Sequence, residues 1–152
     1  MTPASSPAKV PFFRLELEES EIESVVAVLR SGWLTTGGQA VQFEKEFAAY
    51  IGGNVEAVAV NSNTAGMHLA LEALGIGSGD EVIVPTLTFT ATAEVVRYLG
   101  ADPIIVDVAA EDLCIDVEAV SRAVTQRTRA IMPVHFGGMP CQMDRIHRLA
   151  TS

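Results

Sequence analysis

Positive charge, lysine, cysteine and long apolar runs are all scarce in this sequence, and each shortage excludes something. Ten lysines and arginines face nineteen aspartates and glutamates, a formal net charge of −9. That balance argues against a nucleic-acid or anionic-membrane partner, because both demand basic patches. It leaves room for a local basic pocket. No apolar run approaches the roughly 18–20 residues that cross a bilayer. The two cysteines, Cys114 and Cys141, lie far apart without metal-ligand spacing. Two reduced thiols in a cytosolic protein are expected, and no metal site. Residues 1–11 hold Pro3, Pro7 and Pro11 with Thr2, Ser5 and Ser6 and no apolar stretch, so they read as a flexible lead-in and not as a secretory signal. Walker, Gly-x-Ser-x-Gly and His-Glu-x-x-His patterns are missing too.

What is present reads as a folded α/β domain. Hydrophobic residues make up 49% and charged residues 19%, which excludes a disordered chain. A domain of roughly 150 residues hides about 68–70% of its unfolded surface. Ile22, Val25, Val26 and Leu29 recur with helical spacing behind Glu18, Glu19 and Glu21, and Ser31-Gly32 ends that helix. A Thr/Gly loop, Trp33 to Gln39, leads to a second helix with Phe43, Phe47, Tyr50 and Ile51 on one face and Gly52-Gly53 as its stop.

From there the rhythm changes. Short apolar runs at 57–60, 82–84, 104–106 and 130–132 lack polar alternation and predict strands buried on both faces. Helical patterns separate them, one with Asp116 as its N-cap, and a last begins near Asp144. A strand start about every 22–26 residues gives the room a parallel crossover through a helix needs. The expected fold is therefore α/β, a mostly parallel sheet flanked by helices. Glycine-rich Gly75-Ile76-Gly77-Ser78-Gly79 follows a helix and precedes a strand. It reads as a helix stop and turn, not as a dinucleotide fingerprint.

Ligands of parallel α/β sheets bind at the carboxyl ends of strands. Four such ends stand out. At Asn61-Ser62-Asn63-Thr64-Ala65 small polar residues open a helix. Unpaired N–H groups and the helix dipole there suit a phosphate, while ordinary capping by Ser62, Asn63 or Thr64 explains them as well. Phe89 sits in the Thr-rich loop after Pro85. It is either a core phenylalanine or a ring stacked on a planar cofactor. Asp107 at the third end fits an exposed or turn-forming role better than catalysis. His135, just before Gly137-Gly138, is either a structural histidine or a site residue approached closely over the glycines.

Taken in order, Gly32-Trp33-Leu34-Thr35-Thr36-Gly37, Asn61 to Ala65, Gly79 to Pro85 with Thr88 to Ala93, Gly100-Ala101-Asp102-Pro103, Asp107-Val108 and Pro133-Val134-His135 with Met143-Asp144 resemble the DegT/StrS-type sugar aminotransferases. Their order and spacing over nearly the whole chain carry the resemblance. It implies the N-terminal part of the large domain of the aspartate-aminotransferase-like (type I) fold, over residues 12–152. It implies pyridoxal 5′-phosphate (PLP) as cofactor, with Asn63, Thr64 and Ala65 at the phosphate, Phe89 on the pyridine ring and His135 nearby. Trp33, Thr35, Thr36 and Gly37 would lie near a nucleotide-sugar substrate. An amino group would pass, usually from glutamate, to a nucleotide-linked keto sugar, in a cytoplasmic enzyme whose sites form across a homodimer.

PLP chemistry needs a Schiff-base lysine and a carboxylate on the pyridinium nitrogen. The resemblance puts both beyond Ser152, and neither Lys9 nor Lys45 matches the lysine's position. A truncated domain that does not transaminate by itself is therefore expected. A PLP-dependent sugar dehydratase of the same family and a non-catalytic remnant or interaction module are the alternatives.

Overall fold

The computed structural model describes Pro11 and residues 13–151. The expected lead-in, Pro11 apart, and Lys9 lie outside the described residues. The chain divides into two compact units, Met1–Ala59 and Val60–Ser152.

The first unit carries two helices. In α1, Glu19–Ser31, the backbone N–H of Glu18 donates to Glu21 Oε2 at 2.7 Å, which satisfies a donor just ahead of the first turn. Glu19 and Glu21 meet the positive end of the helix dipole. Gly32, at φ 73°, ends it by donating its N–H to Leu29 O. In α2, Gly38–Ile51, the stop is Gly52 at φ 77°. Both helices stop where expected, while α2 begins inside the expected loop, at Gly38. Neither contains a buried residue, so the apolar stripes that predict them stay open, with Tyr50 84% exposed.

One expected strand does not form. The run at 57–60 has no strand pairing, and Val58 is 76% exposed. A strand exists only where a neighbour completes its ladder. Here the Ala59 N–H donates instead to a side chain, Glu44 Oε1, at 2.8 Å.

The second unit holds the sheet. Strands β1 (Glu81–Pro85), β2 (Asp102–Val106) and β3 (Thr128–Ile131) are all parallel, in the order β2-β1-β3. Helices α3 (Asn63–Ala73), α4 (Ala91–Tyr98), α5 (Val117–Ala123) and α6 (Met143–Ala150) surround them. The centre strand is buried throughout, and its side chains alternate between two cores, as the period of two requires. Val82 and Val84 pack with Leu71, Val95 and Val96 of α3 and α4. Ile83 packs on the other face with Val117, Val120 and Ile146 of α5 and α6. Each such side chain contributes about 1.5–3 kcal/mol when fully buried.

Two glycines stop helices in this unit. Ile76 N–H reaches Leu71 O and Gly75 N–H reaches Glu72 O, while Ala101 N–H reaches Val96 O and Gly100 N–H reaches Arg97 O. Gly75 and Gly100 have φ of 72° and 77°, the left-handed geometry such stops use. The glycine-rich stretch is thus a helix stop and turn, with Gly77 N–H donating to Asp80 Oδ2 at 2.9 Å. Asp116 caps α5 as expected, accepting from Glu118 N–H.

The amino end of the sheet is closed by charge. Glu81, only 3% exposed, pairs with Arg127 and accepts the Thr125 hydroxyl at 2.5 Å. Arg97 and Arg127 share Asp102, at 2.7 and 3.5 Å. Cys114 and Cys141, far apart in sequence, meet in the α5/α6 core as free thiols. Burial first, then a hydrogen bond with Cys114, pushes the Cys141 thiol above its ordinary value of 9.0.

Candidate active site

Parallel strands send their exits to one end. The segment after β1 carries Phe89, and the segment after β3 carries His135. Helix α3 feeds through Gly75–Asp80 into the amino end of β1, so its first turn points back toward the carboxyl end. The positions singled out in the second unit, Asn63, Thr64, Ala65, Phe89 and His135, thus belong to elements that open on the carboxyl end of the sheet.

At the start of α3, both readings of the segment have a place. Ser62 is the N-cap, its Oγ accepting from Ala65 N–H at 3.1 Å, and its carbonyl accepts Gly66 N–H. Capping therefore occupies the Ala65 N–H. The N–H groups of Asn63 and Thr64, the first two of the helix, have no protein acceptor among the described residues. With the Thr64 hydroxyl beside them, they form a donor group at the positive end of a three-turn helix.

Phe89 is not a core residue. It is 78% exposed while its backbone is fixed: its carbonyl accepts Thr92 N–H at 3.0 Å, and Thr88 Oγ1 lies 2.7 Å from Thr92 Oγ1. Thr92 is buried. The loop thus holds an apolar ring in solvent on a rigid base. Asp107 is exposed and accepts the Val108 N–H at 2.8 Å, the turn role expected of it.

His135 is exposed, and its Nδ1 accepts the Cys141 N–H at 3.0 Å. Nothing in the sequence marks Cys141 as a neighbour of His135. The contact depends on a chain reversal, at Gly137 (φ 59°) and Gly138 (φ 84°), that only the glycine pair hints at.

The loop Trp33–Gly37 belongs to the first unit and is described there alone. The Trp33 indole N–H donates to Thr36 O at 3.0 Å. A Cβ on Gly37 would stand 2.4 Å from Trp33 Nε1, so the ring lies where only a glycine permits it. Trp33, Thr35 and Gly37 help line a cavity of about 320 Å³ with Ser31 and Gly38. Thr36 does not line it; its carbonyl holds the Trp33 indole that does.

Residues 15–152 match the DegT/DnrJ/EryC1/StrS aminotransferase family. The chain belongs to that family. The spore coat polysaccharide biosynthesis protein SpsC of Bacillus subtilis is 48% identical over 141 residues, 93% of this chain and 36% of that protein. The sugar aminotransferase Spr1654 of Streptococcus pneumoniae, in its PMP form, superposes with a TM-score of 0.84 at 38% identity, over 93% of this chain and 36% of that one. DesV of S. venezuelae gives 0.80 at 42% identity, over 88% and 36%. The chain thus spans about a third of the length of these relatives, 36% in each case. The parallel sheet with its flanking helices is the N-terminal part of the type I fold of PLP aminotransferases. PLP is the cofactor of the family, whose solved members include PLP and PMP forms.

Proposed function

We propose that this chain is the phosphate- and ring-holding part of a PLP-dependent sugar aminotransferase. The observation that carries the proposal is the donor group at the start of α3, in a chain whose family uses PLP. Its residues fit the group. Asn63 and Thr64 N–H and the Thr64 hydroxyl offer donors to a phosphate. Ala65 N–H adds a further donor when Ser62 Oγ yields it. Phe89 offers an exposed ring on a hydrogen-bonded loop to a flat heterocycle, and ring faces of this kind stack favourably. His135 adds a polar group at the same end of the sheet.

When bound, PLP supplies an electron sink for reactions at an amino-bearing carbon. The chain's own residues hold and orient it, and Phe89 shields one face from water. The proposed reaction moves an amino group, from a donor such as glutamate, to a nucleotide-linked keto sugar. The names of SpsC and Spr1654, a polysaccharide biosynthesis protein and a sugar aminotransferase, support that class. The cavity at Trp33, Thr35 and Gly37, with Thr36, is proposed as part of the sugar-nucleotide site, in a cytoplasmic homodimer.

Lys45 is an exposed residue of α2 between Glu44 and Glu46, a solvated surface charge. We therefore propose that this chain binds PLP through its phosphate without forming a Schiff base and does not transaminate alone. Titration of the 152-residue chain with PLP, followed by borohydride reduction and mass analysis, tests this. Saturable binding competed by inorganic phosphate, with no adduct fixed at Lys45, is expected. No binding would sink the cofactor reading, and turnover of a keto sugar with glutamate would sink the claim of inactivity.

A further inference from the structure

The histidine after β3 is held in a way its sequence neighbourhood does not announce. Met132 N–H still bonds Ile83 O at 2.9 Å, so the strand's pairing runs to its edge. Beyond it, Gly138 N–H returns to His135 O at 3.1 Å and Met139 N–H to Phe136 O at 3.0 Å. Gly137 and Gly138 take left-handed φ values within this reversal. The chain thereby doubles back, and Cys141 meets residues 134 and 135. Its Sγ–H donates to Val134 O at 3.1 Å and its backbone N–H to His135 Nδ1 at 3.0 Å. Cys141 is 5% exposed and packs in the core with Ile83 and Ile146, so the clamp is anchored while the imidazole it grips is exposed.

A backbone N–H can only donate, so Nδ1 must present its lone pair. The proton of the neutral ring then sits on Nε2. That Nε2–H has no protein acceptor among the described residues. We infer that His135 is a fixed hydrogen-bond donor, offering Nε2–H to an anionic oxygen of the ligand at the carboxyl end of the sheet, and that Cys141 is the residue that positions it. While the clamp holds, Nε2 cannot act as a base. That the oxygen belongs to the cofactor rests on the reading above; the tautomer does not.

The test uses the full 152-residue chain labelled with ¹⁵N, at about pH 8, above the ordinary imidazole range. Long-range ¹H–¹⁵N spectra report which ring nitrogen carries the proton, and loss of a signal in His135→Gln assigns it. The Nε2–H form is expected in the wild type and in Cys141→Ala, which keeps the backbone donor. Cys141→Pro removes that donor and should lose the preference. An Nδ1–H form or an even mixture in the wild type would overturn the inference, whether or not the proline variant folds.

PLP titrations supply the second arm. His135→Gln keeps an N–H near the Nε2 position and should bind within about threefold of wild type. His135→Ala should weaken binding about tenfold or more, the scale of a hydrogen bond to a charged group. Equal binding by His135→Ala would refute the donor role. Absence of PLP binding in the wild type would instead refute the cofactor reading, with the tautomer still decided by the spectra.

Discussion

Replacing Arg127 should cost more stability than replacing Glu81, although Arg127 is the more exposed partner. Glu81 is 4% exposed in its side chain and Arg127 is 58% exposed. Arg127→Met leaves a carboxylate buried at the head of the central strand with the Thr125 hydroxyl as its remaining side-chain partner. Removing one partner of a buried ion pair costs about 3–5 kcal/mol. Water can reach the half-exposed guanidinium's place, which brings the expected loss down to about 2–3 kcal/mol. Glu81→Gln removes the buried charge itself, keeps an acceptor for Thr125 and leaves Arg127 free to hydrate. Its expected cost is about 1 kcal/mol, the scale of a single hydrogen bond. Urea unfolding of the chain followed by circular dichroism separates the two. With a slope of about 1–3 kcal/mol per molar, the arginine variant should unfold roughly 1 M earlier than wild type. The double variant should resemble Glu81→Gln, because the uncompensated carboxylate is gone. Equal midpoints for the two single variants, or a milder effect for Arg127→Met, would refute the desolvation argument.

Gly37→Ala should disrupt the loop, because its Cβ would overlap the indole; Trp33 is the chain's one tryptophan, so a changed emission spectrum with unchanged circular dichroism is the readout. Phe89→Ala should leave stability within about 0.5 kcal/mol, as substitutions on a surface do, while weakening PLP binding; a large stability loss would return Phe89 to a packing role. Ser62→Ala should cost about 1 kcal/mol through the lost N-cap of α3, measured by urea unfolding. The raised Cys141 pKa means that above 9.0 the unfolded chain has released a proton the folded chain retains, so stability should fall as pH rises from there toward the folded value. Cys141→Ala should flatten that fall, and an unchanged slope would show that the burial of the thiol is not its cause.

The helices and the sheet were legible for different physical reasons. Helix bonds close within a few residues, so Gly32, Gly52 and Gly75 mark real ends and Asp116 marks a real start. Strands 82–84, 104–106 and 130–132 were legible as apolar runs, but only the central one is buried on both faces as expected: Ile105 of β2 is 62% exposed and β3 holds no buried residue, since each flanks β1 at an edge of the sheet. The same pattern failed at 57–60, because β-structure needs a partner the sequence of the strand itself cannot name. Phe89 was readable either way, since an aromatic residue in a loop has the same letter whether it is packed or presented. Glu81 and Cys141 were illegible as partners of Arg127 and His135 for one common reason. Each pair joins segments brought together only by the fold.

That contrast also separates what the two ends of the sheet do. At the amino end, charges are spent on one another: Glu81, Arg127, Asp102 and Arg97 close a network around the first residues of β1 and β2. At the carboxyl end, polar groups are fixed without being satisfied. Among the described residues, Asn63 and Thr64 N–H have no acceptor, Phe89 has no cover, and His135 is gripped at Nδ1 with Nε2 open. Unpaired donors are tolerable where water can reach them, and they bind strongly only when a ligand replaces that water with charge of the right sign. On the reading proposed above, the donors left unpaired at the carboxyl end are there to hold an anion.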